Sequence, residues 1–238
     1  MKNKVIKRPF WKEESDIKNI FQIIGSDRLK FVGGAVRYAI ARKHTLDIDL
    51  ATNLQNYELK ALLNKNKIKF YDFSKGHGTI SIKLSNFNIE VTSLRIDKET
   101  YGRHAKVSHT QDYYLDSCRR DFTINAIYSD FNGKVYDPHK GIEDLQKSVV
   151  KFIGKPEQRI KEDKLRIIRY FRFLSTYTTK QENLDQKSLK ACVQNFHKIK
   201  SVSLERINIE LSKTITAKNA GFVFCLFKKH NLLNFLLE

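Results

Sequence analysis

The chain has 238 residues, 41% of them hydrophobic and only 3 of them Pro, which is enough apolar chain for a folded protein of one large or two small domains. No apolar run approaches the roughly 18 residues that a membrane span needs, and Met1 to Arg8 lacks the apolar stretch of a signal peptide, so the expectation is a soluble, cytoplasmic protein without a membrane partner. Its 44 Lys and Arg against 26 Asp and Glu leave a formal charge of +18, and its 3 cysteines, without C-x-x-C spacing, indicate neither a disulfide framework nor a zinc site.

The charge is uneven. Residues 1 to 146 carry 25 basic and 18 acidic groups (+7), whereas 147 to 238 carry 19 and 8 (+11). Such a field favours a polyanion such as nucleic acid or an anionic membrane face, although a lysine-rich background composition could account for part of it.

In chain order, Leu29 to Val32 reads as a short apolar strand running into Gly33 and Gly34, and Ala35 to Arg42 has helical composition. Asp47 to Ala51 reads as a second strand, with Asn53 as the expected N-cap of a helix carrying Leu59, Leu62 and Leu63. Thr79 to Leu84 and Phe87 to Thr92 alternate apolar and polar residues around a turn at Ser85 and Asn86, which puts Glu90 on the face opposite Ile89 and Val91. Lys98 to Asp112 has no clean period and reads as a mobile loop whose Arg103, His104 and Lys106 could face a ligand. Asn132-Gly133 marks a hairpin between Ala126 to Tyr128 and Lys134 to Tyr136. After Pro156, helical patterns follow at Glu157 to Ser175, Ser188 to Phe196, Ser203 to Ile215 and Gly221 to Leu237. Strands first and helices afterwards predict an α+β head followed by an all-helical part.

The chemistry concentrates at Gly33-Gly34-Ala35-Val36-Arg37, followed ten residues later by Asp47-Ile48-Asp49. On a strand the carboxylates of Asp47 and Asp49 project from one face, and Glu90 on a neighbouring strand can supply a third oxygen. Three carboxylates without His or Cys select hard cations such as Mg²⁺. Two such ions about 3.5 to 4 Å apart can activate a hydroxyl and stabilise the leaving oxygen of an in-line phosphoryl displacement. The glycines let backbone approach a phosphate closely. Taken singly, a Gly-Gly pair is most often a plain turn and a D-x-D a solvated face; their order and spacing favour the catalytic reading.

Arg119 and Arg120 precede a polar turn in which Asp121 and Asn125 could fix the guanidinium planes for triphosphate or ribose contacts. At helical spacing Asp163, Arg166 and Arg169 fall on one face and Leu165, Ile168 and Phe171 on another. The bland reading of that polar face is an exposed ion pair of little worth. The sharper one is base selection: a carboxylate accepts from an exocyclic amine and a guanidinium donates to ring acceptors, a pattern that cytosine and adenine match and uracil and guanine do not.

Together the motifs G-G-x-V-R, D-x-D-L-A-T-N, E-V-T-S-L-R, R-R-D-F-T-I-N-A, D-P-x-x-G-x-x-D-L and E-D-x-L-R-I-x-R-x-x-R-F, in order from Phe31 to Phe173, resemble the class II tRNA nucleotidyltransferase and bacterial poly(A) polymerase family of the polymerase-beta-like superfamily. The run from Ser203 to Lys213 is similar to the helix motif that follows in that family. The resemblance implies a head with a five-stranded mixed sheet and flanking helices over 1–148, and over 149–238 a helical neck and shortened body for nucleotide selection and tRNA binding. It implies Asp47 and Asp49 as metal ligands and, with Glu90, as catalytic residues. Nucleotide contacts fall on Gly33, Gly34, Arg37, Arg119, Arg120, Asp121, Asn125, Asp163, Arg166, Arg169 and Arg172, with Asp163 and Arg166 reading the incoming base. The implied reaction is addition of C, C and A to a tRNA 3′ end from CTP and ATP, with Mg²⁺ and release of pyrophosphate. Asp137, Pro138, Gly141 and Asp144 match a hinge-like motif.

Two positions depart from the family pattern: Tyr38 stands where Asp usually follows the Arg, and Ala105 follows Arg103-His104 where Pro is common. Family members are usually considerably longer, so the resemblance admits a minimal enzyme, a shortened piece, or one part of an assembly in which a protein partner or second copy replaces the C-terminal region. The alternatives within the class are a poly(A) polymerase or a partial CC- or A-adding enzyme. Outside it stands a non-catalytic RNA-binding relic.

Overall fold

A computed structural model describes residues 4–72, 78–101 and 104–237, the side chains of 98–106 and 236–237 excepted. The chain divides into two compact units, the first comprising 1–98, 107–120 and 125–139, and the second 99–106, 121–124 and 140–238. One passage between units falls at His139 and Lys140, where Lys140 takes a left-handed backbone (φ 59°).

In the first unit, α1 (Ser15–Ile24) leads into β1 (Leu29–Val32), α2 (Gly34–Ile40), β2 (Asp47–Thr52), α3 (Asn56–Lys65), β3 (Thr79–Lys83) and β4 (Asn88–Ser93). A separate two-stranded sheet, β5 (Arg95–Tyr101) with β6 (His104–His109), precedes α4 (Tyr113–Cys118) and the strands β7 (Tyr128–Ser129) and β8 (Val135–Tyr136). The main sheet is mixed and runs β3-β4-β2-β1-β7-β8. The expected mixed sheet with flanking helices is therefore present with six strands rather than five, because the Asn132-Gly133 hairpin extends it at the β1 side through Tyr128↔Tyr136 and Ser129↔Val135.

Alternation fixes the two faces of this sheet. Ile48, Leu50, Ile89, Ile80, Leu29 and Phe31 are buried, and Phe31 is stacked by Trp11 at 3.9 Å and by Phe21 at 4.9 Å between ring centroids. Each such side chain withdrawn from water contributes about 1.5–3 kcal/mol. The opposite face carries Asp47, Asp49 and Glu90 and, further along, a smaller apolar cluster of Val32, Ala51, Leu94 and Tyr128 against Tyr113. The turn at Ser85 and Asn86 closes by the Leu84 N–H donating to Phe87 O at 2.9 Å.

Three sequence expectations are corrected here. Asn53 does not cap α3; Gln55 does, its N–H held by the Glu58 carboxylate at 2.7 Å in a capping-box arrangement. The stretch read as a loop, Lys98 to Asp112, is largely the β5 and β6 ribbon; its sequence is polar at neighbouring and alternate positions alike, so no hydrophobic period announces the strands. Arg103 lies outside the described residues, as do the side chains of His104, Ala105 and Lys106. Finally, the helical stretches are broken twice in the second unit.

That unit holds α5 (Gly141–Gln146), α6 (Pro156–Glu162), α7 (Arg166–Tyr177), α8 (Gln186–Gln194), α9 (Leu204–Ile215), α10 (Ala220–Lys229) and α11 (Asn234–Leu237). The pattern from Glu157 to Ser175 divides at Asp163, whose backbone is extended (φ −147°, ψ 111°) and whose carboxylate takes the Leu165 N–H at 3.1 Å. The last pattern divides at Asn231, left-handed at φ 54°, with the Leu232 N–H returning to Phe227 O at 2.8 Å. The core packs Phe122, Phe152, Tyr170, Phe171, Phe196 and Phe227. Cys118, Cys192 and Cys225 are free, and among the described residues no helix is long and apolar enough to cross a membrane.

Candidate active site

The sheet unit assembles the carboxylates. Asp47 and Asp49 are exposed two residues apart on β2 while Ile48 and Leu50 between and beyond them are buried. The parallel pairing of β2 with β4 sets Asp49 beside Glu90 and Asp47 beside Asn88, whose side-chain amide donates to Asp47 at 3.3 Å. Gly33 holds φ 66°, so a side chain there would strain the turn, while an added Cβ would stand in ordinary contact with the Asp49 carboxylate at 3.7 Å. At Gly34 an added Cβ would meet nothing within 4 Å, which leaves open space over the start of α2.

The carboxylates repel one another. Loss of water around Asp49 raises its pKa, Arg120 and Arg37 pull it down, and Asp47 pushes it up again, with a net rise. Glu90 is raised by loss of water and then by Asp49 and Asp47. This concentrated negative charge is the environment that a hard divalent cation relieves. Among the described residues no three acidic, His or Cys side chains close into a ready-made metal cage. A cation held by Asp47 and Asp49 would therefore have to complete its shell from water or substrate oxygens.

Three arginines of this unit, Arg37, Arg119 and Arg120, are each held by an anchor, and Arg120 and Arg37 act on Asp49. Arg37 donates to the side-chain oxygen of Asn125. Arg119 donates to Asp116 at 2.8 Å through Nε, and Arg120 reaches the other Asp116 oxygen at 3.2 Å through Nη2 while its Nε donates to the Tyr128 hydroxyl at 3.0 Å. The Tyr128 hydroxyl itself donates to Asp116 at 2.8 Å, and the Arg95 N–H to the same carboxylate at 3.3 Å. Asp116 is fully buried, and although burial acts to raise its pKa, Arg120 and Arg119 outweigh that and hold it below the usual carboxylate range.

Sequence reasoning expected Asp121 and Asn125 to fix the planes of Arg119 and Arg120; that expectation is corrected. Asp116 fixes both arginines, Asn125 holds Arg37, and Asp121 belongs to the other unit. Asp116 was missed because a lone acidic residue in a short helix carries no sequence signal; its spacing of three and four residues before the arginine pair is the one available hint.

In the helical unit, Asp121 accepts from Arg169 at 2.9 and 2.7 Å, and Glu210 of α9 accepts from Arg169 at 3.2 Å and pairs with Arg172 at 2.8 Å. The Arg172 guanidinium also lies 4.2 Å from the Phe173 ring centroid. One turn earlier on α9, Arg206 donates to the Asp163 carboxylate at 3.0 Å. Arg166 is gripped by Glu162 at 2.7 Å and by Arg159 O at 3.1 Å. Asp163 thus does not share a continuous helical face with Arg166 and Arg169, as the spacing suggested; it sits in the break between α6 and α7, oriented by Arg206. Replacing Glu210 with Gln is expected to destabilise this unit by about 1–2 kcal/mol, since two guanidiniums lose their counter-charge. Urea denaturation reads it, and an unchanged midpoint and slope would show the bracing role to be mistaken.

Paired strand carboxylates, a glycine turn beside them and anchored arginines on a mixed sheet define the head of a polymerase-beta-like nucleotidyltransferase. Residues 29–151 match the poly A polymerase head domain family, and residues 183–238 match the family described as a probable RNA and SrmB-binding site of polymerase A. The chain belongs to the class II CCA-adding nucleotidyltransferase and poly(A) polymerase family. It is 39% identical over 195 residues to the mitochondrial CCA tRNA nucleotidyltransferase 1 of Danio rerio, covering 81% of this chain and 45% of that one. It is 34% identical over 208 residues to the CCA-adding enzyme of Staphylococcus epidermidis, covering 87% and 50%. The Bacillus stearothermophilus CCA-adding enzyme in complex with CTP has a similar structure, with a TM-score of 0.80 at 29% identity over 95% of this chain and 53% of that one. The chain spans about half the length of the curated relatives it matches.

Proposed function

We propose that this chain adds C, C and A to the 3′ end of tRNA, taking CTP and ATP and releasing pyrophosphate. The observation that carries the reading is the exposed Asp47 and Asp49 pair, set in register with Glu90 and within the fields of Arg37 and Arg120. The names of the relatives above support the substrate. In this reading the RNA 3′-oxygen bonds to the α-phosphorus as the bond to the β-phosphate oxygen breaks. Asp47 and Asp49 would hold Mg²⁺, which would, when bound, help activate the hydroxyl and stabilise the leaving oxygen. Arg37, Arg119 and Arg120 bind the triphosphate and hold it for displacement. Residues 1–148 serve as the catalytic head, and 149–238 select the nucleotide and bind tRNA through their surplus lysines. The three free cysteines support a reducing compartment such as the cytoplasm.

Base choice falls to Asp163 and Arg166. Arg206 and Glu162 hold them in fixed planes, which favours a pattern-reading role over a loose surface pair. Asp163→Ala is expected to reduce the preference for CTP and ATP over UTP and GTP by about 10- to 100-fold, the equivalent of one unmatched buried polar contact. Single-nucleotide incorporation with each triphosphate measures it; an unaltered preference would show that the assignment is mistaken.

The test of the whole reading is incorporation by purified protein on a tRNA lacking its 3′ end, with Mg²⁺ and each nucleotide separately and together. A product three nucleotides longer is expected with CTP and ATP. Long adenylate tails from ATP alone indicate poly(A) synthesis, and incorporation of neither nucleotide rejects the proposal.

A further inference from the structure

The sheet unit carries a basic cavity that the catalytic reading leaves unused. It measures about 700 Å³ and is lined by Lys7, Arg8, Arg42 and Lys43, with Glu13 and Glu14 as its only carboxylates among the described residues. All four cations are exposed, and among the described residues none of them forms an ion pair with either glutamate or any other acid. Four cations around one concavity, against two carboxylates that pair with none of them, leave an excess of positive charge that suits an anion.

Its position in the chain ties it to the carboxylates. The cavity wall includes Ala39 at the end of α2, the helix that begins at Gly34, and the loop that returns from it to Asp47. The Lys43 N–H donates to Tyr38 O at 2.8 Å, folding that loop back on the helix, and Arg42 holds a left-handed backbone (φ 56°) in the turn. His44 on the wall precedes Asp47 by three residues, a reach of at most about 10 Å. Rings lie among the charges: His44 and Phe10, both on the wall, pack with centroids 5.4 Å apart. A basic groove interleaved with aromatic rings is the arrangement that holds single-stranded nucleic acid. A lipid surface would instead meet a broad face than enter a recess.

We propose that this cavity binds backbone phosphates of the RNA strand whose 3′ end is extended at Asp47 and Asp49, with His44 offering a ring to a base. The identity of that strand rests on the nucleotidyltransferase reading; the binding itself does not.

The test is fluorescence anisotropy of the full chain with a short single-stranded RNA across a series of salt concentrations, comparing the wild type with a Lys7→Gln/Lys43→Gln variant. The affinity is expected to fall about 10-fold, and the slope of log affinity against log salt to become shallower by roughly 1 to 1.5, for two lost phosphate contacts. Lys7→Arg/Lys43→Arg should retain both, and CTP binding by calorimetry should be equal in all three proteins. RNA affinity and salt slope unchanged in the Gln variant overturn the proposal, as does an equal loss in the Arg variant. So does a loss confined to anionic phosphatidylserine vesicles. If the chain transfers no nucleotide yet the Gln variant loses RNA affinity, the site stands and the catalytic reading falls. If transfer proceeds and RNA affinity is unchanged, the site alone falls.

Discussion

Asp49→Ala is expected to lower nucleotide incorporation by on the order of 10³-fold or more, about 4 kcal/mol of transition-state stabilisation, while leaving the fold intact. The side chain is exposed on a strand whose neighbours Ile48 and Leu50 carry the packing, so its removal opens no cavity. It also relieves repulsion, because Asp47 raises the Asp49 pKa and both raise that of Glu90. Thermal stability should therefore be equal or slightly higher in the variant. Single-turnover incorporation measures the loss, and activity equal to wild type would remove the catalytic assignment of this carboxylate.

The second large effect falls on stability. Asp116→Ala leaves Arg119 and Arg120 without the buried carboxylate that takes both guanidiniums, along with an orphaned Tyr128 hydroxyl. Breaking a buried pair by removing one partner costs about 3–5 kcal/mol, which corresponds to a fall of roughly 10 °C in Tm for a chain of this size. The pH dependence has a definite sign. The folded pKa of Asp116 is depressed. Its contribution is therefore fully present above the unfolded value of about 3.9 and is lost as pH falls through the lower folded value. The wild type should lose stability over that acid range more steeply than Asp116→Asn. A Tm within a degree or two of wild type for the Ala variant would show that the arginines find other anchors.

The two variants separate two kinds of residue that stand close together in the sheet unit. Asp49 faces solvent at the proposed centre of chemistry; Asp116 is buried and orients Arg119 and Arg120. Only the first kind announces itself in a motif. Asp47, Asp49 and Glu90 were legible because a strand has a period of two and the buried Ile48, Leu50, Ile89 and Val91 fix which face each acid takes. The hairpins at Ser85-Asn86 and Asn132-Gly133 were legible because turn chemistry is local.

Where each arginine finds its anchor was not legible. Asp121 follows Arg120 directly in sequence, yet it holds Arg169, 48 residues away, and Arg37 is held by Asn125, 88 residues away. Nor did helical spacing survive at Asp163, where the backbone turns extended and the carboxylate takes the Leu165 N–H between the two helices. Periodicity describes a continuous helix and carries no information about a local turn inside the pattern.

By itself, then, the sequence determined the class of fold, the strand carboxylates and the family, since these rest on local period, turn residues and ordered motifs. The tertiary structure decided which acid orients which distant base: Asp121 and Glu210 for Arg169, Glu210 for Arg172, and Asp163 with Arg206. The reason is physical. A hydrogen bond between side chains depends on where packing brings two distant segments, and the burial that makes such a bond strong is a property of the assembled core rather than of either segment alone.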